Sequence, residues 1–266
     1  MDYTAITVEK RGACDWLTLN RPEALNTINV AMVQELDHYF GALRNDPDTR
    51  VVVMRGAGRA FCAGLDIKER DRRGNEGVPF GGGWDFQGFL AEVYIKMRRC
   101  PQPIVSLIQG PACGGGFAFA LASDIRIAGE SARMNCAFIK IGLSSCDMGV
   151  SYFLPRLVGG SVAAELMLTG RFIHAPRALA TGLVSEVVPD AELEAAAQPY
   201  VDEMLYASPT GLRLTKEGLT MAVDAASLEA AMAIENRNQT LCARSEDFAE
   251  GRRAFLEKRP PSWAAG

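Results

Sequence analysis

Ile104-Val105-Ser106-Leu107-Ile108 is a short, nearly continuous apolar run, and Gly110-Pro111-Ala112-Cys113-Gly114-Gly115-Gly116 follows it at once. A run of that length reads as a strand buried on both faces. The glycine cluster reads as a tight turn, and the alanine-rich segment opening at Phe117 as a helix. Asp124-Ile125-Arg126-Ile127-Ala128 then reads as the next strand. Strand, turn, helix, strand in this order is the grammar of an α/β fold. Upstream, Val51-Val52-Val53-Met54 is another buried-strand run, leading into a second glycine-containing turn at Gly56. No sequence repeat of fixed period accompanies this rhythm, so any repetition is structural.

Outward from these runs, Ile6-Thr7-Val8 and Trp16-Leu17-Thr18-Leu19 have the period-2 character of strands, with Lys10-Arg11-Gly12 as the turn between them. Asn26 is expected to cap an amphipathic helix, because Ile28, Met32, Val33, Leu36, Tyr39 and Phe40 recur at helical spacing. Between Arg70 and Phe89 charge gives way to glycine and aromatics. This predicts a mobile loop leading into a helix from about Phe86 to Arg99. After Pro189 strong helix formers dominate. The expected organisation is a core over residues 1–190 and a helical C-terminal region over residues 191–266.

Composition narrows the classes. Of 266 residues, 48% are hydrophobic and 23% charged, which suits a globular core and excludes disorder. A net charge of −4 gives no general attraction to nucleic acid or to anionic membrane. No apolar run reaches about 18 residues, so no membrane span is expected. The N-terminal stretch lacks the apolar core of a signal peptide. The seven cysteines, odd in number and without CxxC spacing, read as free thiols of a reducing compartment, and the expected location is cytoplasmic. Only His38 and His174 are present, which argues against a histidine metal site and a serine–histidine hydrolase.

The two glycine turns carry the chemistry. Gly56-Ala57-Gly58-Arg59-Ala60-Phe61 imitates the start of a dinucleotide fingerprint, but Phe61 stands where the third glycine belongs. Glycines at a helix N-terminus leave backbone N–H groups uncovered to a close ligand. Two such turns, each after a buried strand, could aim two N–H groups at one oxygen, as an oxyanion hole does. The same glycines could serve only tight packing, and spacing alone leaves both readings open.

Taken in order, the segments Asn20 to Asn26, Phe61 to Glu69, Gly110 to Asp124, Gly142 to Gly159, Gly170 to Ala175, Ala180 to Val184 and Glu246 to Arg259 resemble the crotonase superfamily, the enoyl-CoA hydratase/isomerase family. The resemblance spans nearly the whole chain. It implies a spiral of ββα turns, a helical C-terminal region that packs in homotrimers or homohexamers, and an acyl-CoA thioester as ligand, with coenzyme A entering as part of the substrate and no separate cofactor or metal. It also implies that the N–H groups of Leu65 and Gly115, in turns shaped by Gly64 and Gly114, hold the thioester oxygen. Ala24 would lie near the pantetheine arm and Ala63 beside the adenine, with Asp66 and Ile67 next to that turn. Lys68, Phe255 and Lys258 would lie near the nucleotide end. For Lys68 and Lys258 a solvated helix face is the competing reading.

The departures matter as much. Hydratases of this family place two glutamates where this chain has Ala118 and Phe138, and neither side chain can transfer a proton. Asp147, in Ser145-Cys146-Asp147-Met148-Gly149, stands where other branches of the superfamily keep a working aspartate. It reads either as a catalytic acid–base or as the N-cap of the following helix. Asp66 reads as the cap of a helix beginning at Ile67. Cys62, Cys113 and Cys146 read as small apolar filler, His174 as structural and His38 as a surface helix residue. The expected function is an acyl-CoA enzyme that stabilises an enolate-like oxyanion. Isomerisation, hydrolysis and decarboxylation stand beside hydration, and non-catalytic binding of acyl-CoA is the alternative from another class.

Overall fold

The computed structural model of the chain describes residues 2–69 and 83–263. The strands are β1 (Ile6–Arg11), β2 (Cys14–Leu19), β3 (Val51–Gly56), β4 (Ile104–Ile108), β5 (Pro111–Cys113), β6 (Ile125–Gly129), β7 (Arg133–Asn135), β8 (Ile173–His174) and β9 (Glu186–Val188). A six-stranded sheet runs in the order β1-β2-β3-β4-β6-β9, and a three-stranded sheet in the order β5-β7-β8. Only the β1–β2 hairpin is antiparallel in the larger sheet; β2–β3, β3–β4, β4–β6 and β6–β9 are parallel. The chain leaves β4 for β5 and β6 for β7, so successive turns of a spiral alternate between the two sheets.

The helices are α1 (Val30–Ala42), α2 (Gly83–Arg99), α3 (Gly115–Ala122), α4 (Val150–Thr169), α5 (Ala175–Ala180), α6 (Leu193–Tyr206), α7 (Pro209–Ala222), α8 (Leu228–Ala243) and α9 (Glu246–Glu257). Both faces of the larger sheet are covered, which is why its strands read as unbroken apolar runs. Val52, Met54, Ile104 and Ile108 face a cluster that includes Met32, Leu36 and Phe40 of α1 and Phe117 of α3. Val51, Val53, Val105 and Leu107 face the opposite cluster, closed by Leu193, Ala197 and Val201 of α6.

One expectation near the N-terminus is corrected. The cap of α1 is Asn29, whose side chain accepts from the Met32 N–H at 3.0 Å. Asn26 is instead fully buried in a left-handed conformation (φ 56°). Its side-chain amide donates to the carbonyls of Ala57 (2.9 Å) and Ala60 (2.8 Å) and accepts from the Arg21 N–H (2.8 Å), so it staples the first glycine turn to the segment after β2. The loop expected from Arg70 lies outside the described residues up to residue 82, and the helix after it begins at Gly83 rather than near Phe86.

Beyond β9 the described chain is helical. Helix α7 is tied to the spiral by Lys216, a buried lysine. Its ammonium donates to the Gln102 carbonyl at 2.7 Å and the Met97 carbonyl at 3.1 Å, and it pairs with Asp124 at 2.9 Å. A buried charge is tolerable when it is paired and hydrogen-bonded in this way.

Candidate active site

The two glycine turns lie back to back. The Cys62 N–H donates to the Pro111 carbonyl at 3.1 Å, and the Cys113 N–H to the Cys62 carbonyl at 2.9 Å. A Cβ added to Gly64 would stand 2.8 Å from the Cys113 carbonyl oxygen, and one added to Gly116 would stand 2.1 Å from that of Cys62. Backbone approaches this close leave no room for side chains, so the glycines are required by packing as well as by conformation. Gly64 (φ 98°) and Gly114 (φ 51°) are both in the region that favours glycine. Each immediately precedes one of the two expected N–H donors.

Those donors are available. The Gly64 carbonyl accepts from the Ile28 N–H at 2.8 Å, and the Asp66 N–H donates to the Ile28 carbonyl at 2.9 Å. Along such a ladder alternate groups point to opposite sides, so the N–H of Leu65 points away from Ile28. Gly115 is the first residue of α3, whose leading N–H groups have no helical acceptor. Neither the Leu65 nor the Gly115 N–H has an acceptor among the described residues. Among the described residues, both expected donors are thus without an acceptor on two touching turns.

Around Gly115 stand Ile28, Tyr94 of α2 and Met148, which a Cβ at that position would meet at 2.8, 3.1 and 3.0 Å respectively. The Tyr94 hydroxyl donates to the Gly115 carbonyl at 3.0 Å, and its ring stacks on Phe119. Burial holds that hydroxyl neutral, and the Cys62 thiol and Asp147 carboxylate add to the effect. Phe138 packs on Gly114, its ring 3.5 Å from where a Cβ would be. Ala118 is wholly buried in α3. These two positions therefore present hydrocarbon, not carboxylate, beside the turn.

Asp147 is not a cap. Helix α4 is capped by Gly149, and no side chain bonds its first turn. Met148, in between, is in the left-handed region (φ 49°), an unusual conformation for a residue with a side chain. The half-buried Asp147 carboxylate accepts from the Met148 N–H at 2.8 Å and from the Gln87 side-chain amide of α2. Burial pushes its pKa above the ordinary aspartate value, and these two bonds oppose that rise without cancelling it.

The remaining expected residues divide. Asp66 does cap the helix that begins at Ile67, accepting from the Glu69 N–H at 2.9 Å. It also pairs with Arg21 at 3.0 Å. Burial alone would raise the Asp66 pKa, but these bonds and one from Thr27 bring it below the usual carboxylate range. Ala24 and Ala63 are half-buried near this turn, with the Ala63 N–H donating to the Leu25 carbonyl at 3.0 Å. Ile67 and Lys68 are exposed beyond it. Phe255 and Lys258 lie exposed on and just after α9, which is bonded to the start of α7 through Asp247.

The cysteines divide too. Cys62 is buried and its thiol pKa is pushed up to about 12 by burial. Cys113 is pushed up to about 11 for the same reason. Cys146 is exposed, contrary to the expectation of apolar filler. His38 is an exposed helix residue bonded to the Tyr3 hydroxyl. Among the described residues no cluster of His, Cys, Asp and Glu could hold a metal ion, and no helix is long and apolar enough to cross a membrane. Sequence reasoning missed Gln87, Tyr94 and Arg21, which act through neighbours distant in sequence and carry no local signal.

A spiral α/β core with two adjoining glycine turns defines a class of fold. The sequence profile of the enoyl-CoA hydratase/isomerase family matches residues 9–266, and the chain belongs to that family. Among its relatives, a Mycobacterium bovis protein named "Probable enoyl-CoA hydratase echA12" is 39% identical over 254 residues, covering 92% of this chain and 87% of that protein. The Escherichia coli 1,2-epoxyphenylacetyl-CoA isomerase is 34% identical over 247 residues, covering 93% of each. The crystal structure of an enoyl-CoA hydratase from Bacillus anthracis superposes with a TM-score of 0.91 at 31% identity, over 99% of this chain and 100% of that one.

Proposed function

We propose that this enzyme binds an acyl-CoA thioester and forms an enolate at its α-carbon, with Asp147 as the proton-transfer group. The observation that carries the reading is the pair of N–H groups, Leu65 and Gly115, on two touching turns, neither with an acceptor among the described residues. The thioester carbonyl oxygen would accept from both. A carboxylate oxygen of Asp147 takes the α-proton, the C–H electron pair moves into the carbonyl, and the resulting oxyanion gains most from the two fixed donors. Return of the same proton at the γ-carbon of a 3-enoyl thioester moves the double bond into conjugation, with no net oxidation. Coenzyme A arrives as part of the substrate, and no separate cofactor is required.

Hydration by the two-carboxylate route is disfavoured, because Ala118 and Phe138 supply no acid–base group. The test is a panel of crotonyl-, 3-hexenoyl-, dienoyl- and malonyl-CoA. The expected result is α-proton exchange or isomerisation of 3-hexenoyl-CoA in D2O with very slow hydration of crotonyl-CoA. Efficient hydration of crotonyl-CoA would refute the argument from the missing carboxylates. Affinity without any product across the panel would leave a binding protein. The assembly proposed for the active form is a homotrimer or homohexamer.

A further inference from the structure

Both donors to Asp147, the Met148 N–H and the Gln87 amide, reach the same carboxylate oxygen, Oδ1. Oδ2 has no donor among the described residues. Among the described residues, the carboxylate is thus held by one edge only. Met148 sits against Gly115, so the held edge is fixed relative to one of the free N–H groups. Gln87 comes from α2, which also carries Tyr94 to the Gly115 carbonyl. One helix therefore touches both the proposed base and the proposed oxyanion turn.

We infer that Gln87 is a positioning residue that clamps Oδ1 of Asp147 and leaves Oδ2 as the atom that takes and returns the proton. The inference rests on the proposed enolate chemistry and deepens it, by assigning the proton to one oxygen and its aim to a residue sixty positions away in sequence. A hydrogen bond to the charged form of a carboxylate favours that form. Gln87 therefore favours the ionised, basic form of Asp147 against the opposing effect of burial. Among the described groups, the titratable side chain facing Asp147 from α2 is Tyr94, which burial keeps neutral, and its chain neighbour is the Cys146 thiol. Gln87 itself is exposed, so its replacement leaves the core untouched.

The test follows the Asp147 carboxyl carbon by 13C NMR as a function of pH, assigned by its loss in Asp147→Asn. Gln87→Met keeps the length and removes the donor, and is expected to raise the Asp147 pKa by about half to one unit. Gln87→Glu sets a like charge against it and is expected to raise it by more than one unit. In both variants the acid limb of kcat for α-proton exchange on 3-hexenoyl-CoA is expected to move up with it, while KM stays unchanged. An Asp147 pKa that does not move in either variant overturns the clamp. If the NMR pKa moves and the acid limb of exchange stays in place, the clamp stands and the assignment of Asp147 as the base fails. Asp147→Asn exchanging at the wild-type rate has the same meaning.

Discussion

Three features of Asp147 bear on the proposed proton transfer. It is half-buried, it precedes a left-handed Met148, and burial holds its pKa above the ordinary aspartate range. Such a carboxylate is a stronger base than an exposed one, and its conjugate acid is correspondingly weaker. Asp147→Asn keeps the shape and can still accept from the Met148 N–H, but cannot take a proton. Its expected cost is about 10²–10⁴ in turnover. Thermal stability is expected to stay within about 1 kcal/mol of wild type, measured by thermal unfolding. The linkage has a definite sign. A carboxyl whose folded pKa is raised binds its proton more tightly when folded, so its contribution to stability is present at low pH and lost as pH rises through the folded pKa. The wild type is therefore expected to lose stability relative to Asp147→Asn as pH rises past the ordinary aspartate range. Activity has the opposite dependence, because the base form disappears as pH falls through the same pKa. A fully active Asn variant would place the proton-transfer group elsewhere.

The glycine turns act as one element made of two distant segments. Gly64 and Gly114 adopt positive φ, and the backbones then approach too closely for any Cβ at Gly64 or Gly116. Gly115 differs, because its crowding is against the ends of flexible side chains, Ile28 and Met148, and the Tyr94 hydroxyl. A matched pair of substitutions exploits this. Gly115→Ala adds a Cβ and keeps the N–H. Gly115→Pro adds the same Cβ within a larger ring at a first helical position, where proline is tolerated, and removes the N–H. Turnover of the proline variant is expected to fall about 10²–10³ below that of the alanine variant, with coenzyme A still bound. Equal turnover in the two would make Gly115 a packing residue only. Much of this element was legible in advance. The buried strands β3 and β4 announce themselves because both faces of their sheet are covered, and the glycine clusters follow them directly. Asn26 stands where a cap is expected, but its partners, Ala57 and Ala60, are more than thirty residues away and leave no periodic trace. Gln87 was invisible for the same reason, since a glutamine on a helix says nothing of what it faces. The exposed Cys146 shows that small and apolar in type does not mean buried in place.

At the scale of the molecule, the C-terminal helices leave much apolar surface uncovered. Leu228 is 72% exposed and Phe255 82%, and Leu219, Met221, Met232, Leu241, Phe248 and Leu256 are also exposed. Single exposed apolar residues are ordinary, whereas apolar residues gathered on neighbouring helices are what a partner surface would cover. The inner side of the same helices is firmly anchored through Lys216 and through Asp247, which accepts from the Thr210 N–H at 2.9 Å. Exposed apolar side chains on anchored helices are what a closed ring of like subunits would bury. Light scattering at micromolar concentration is therefore expected to give three or six times the 28.7 kDa chain mass. Replacing Leu228, Met232 and Leu241 together by Ser is expected to lower that mass. Their outward exposure means the substitutions delete few contacts within the chain, so helical content by circular dichroism is expected to persist in the dissociated form. A monomer in the wild type at micromolar concentration would defeat the argument. An unchanged mass in the triple variant would instead move the contact to another face of the molecule.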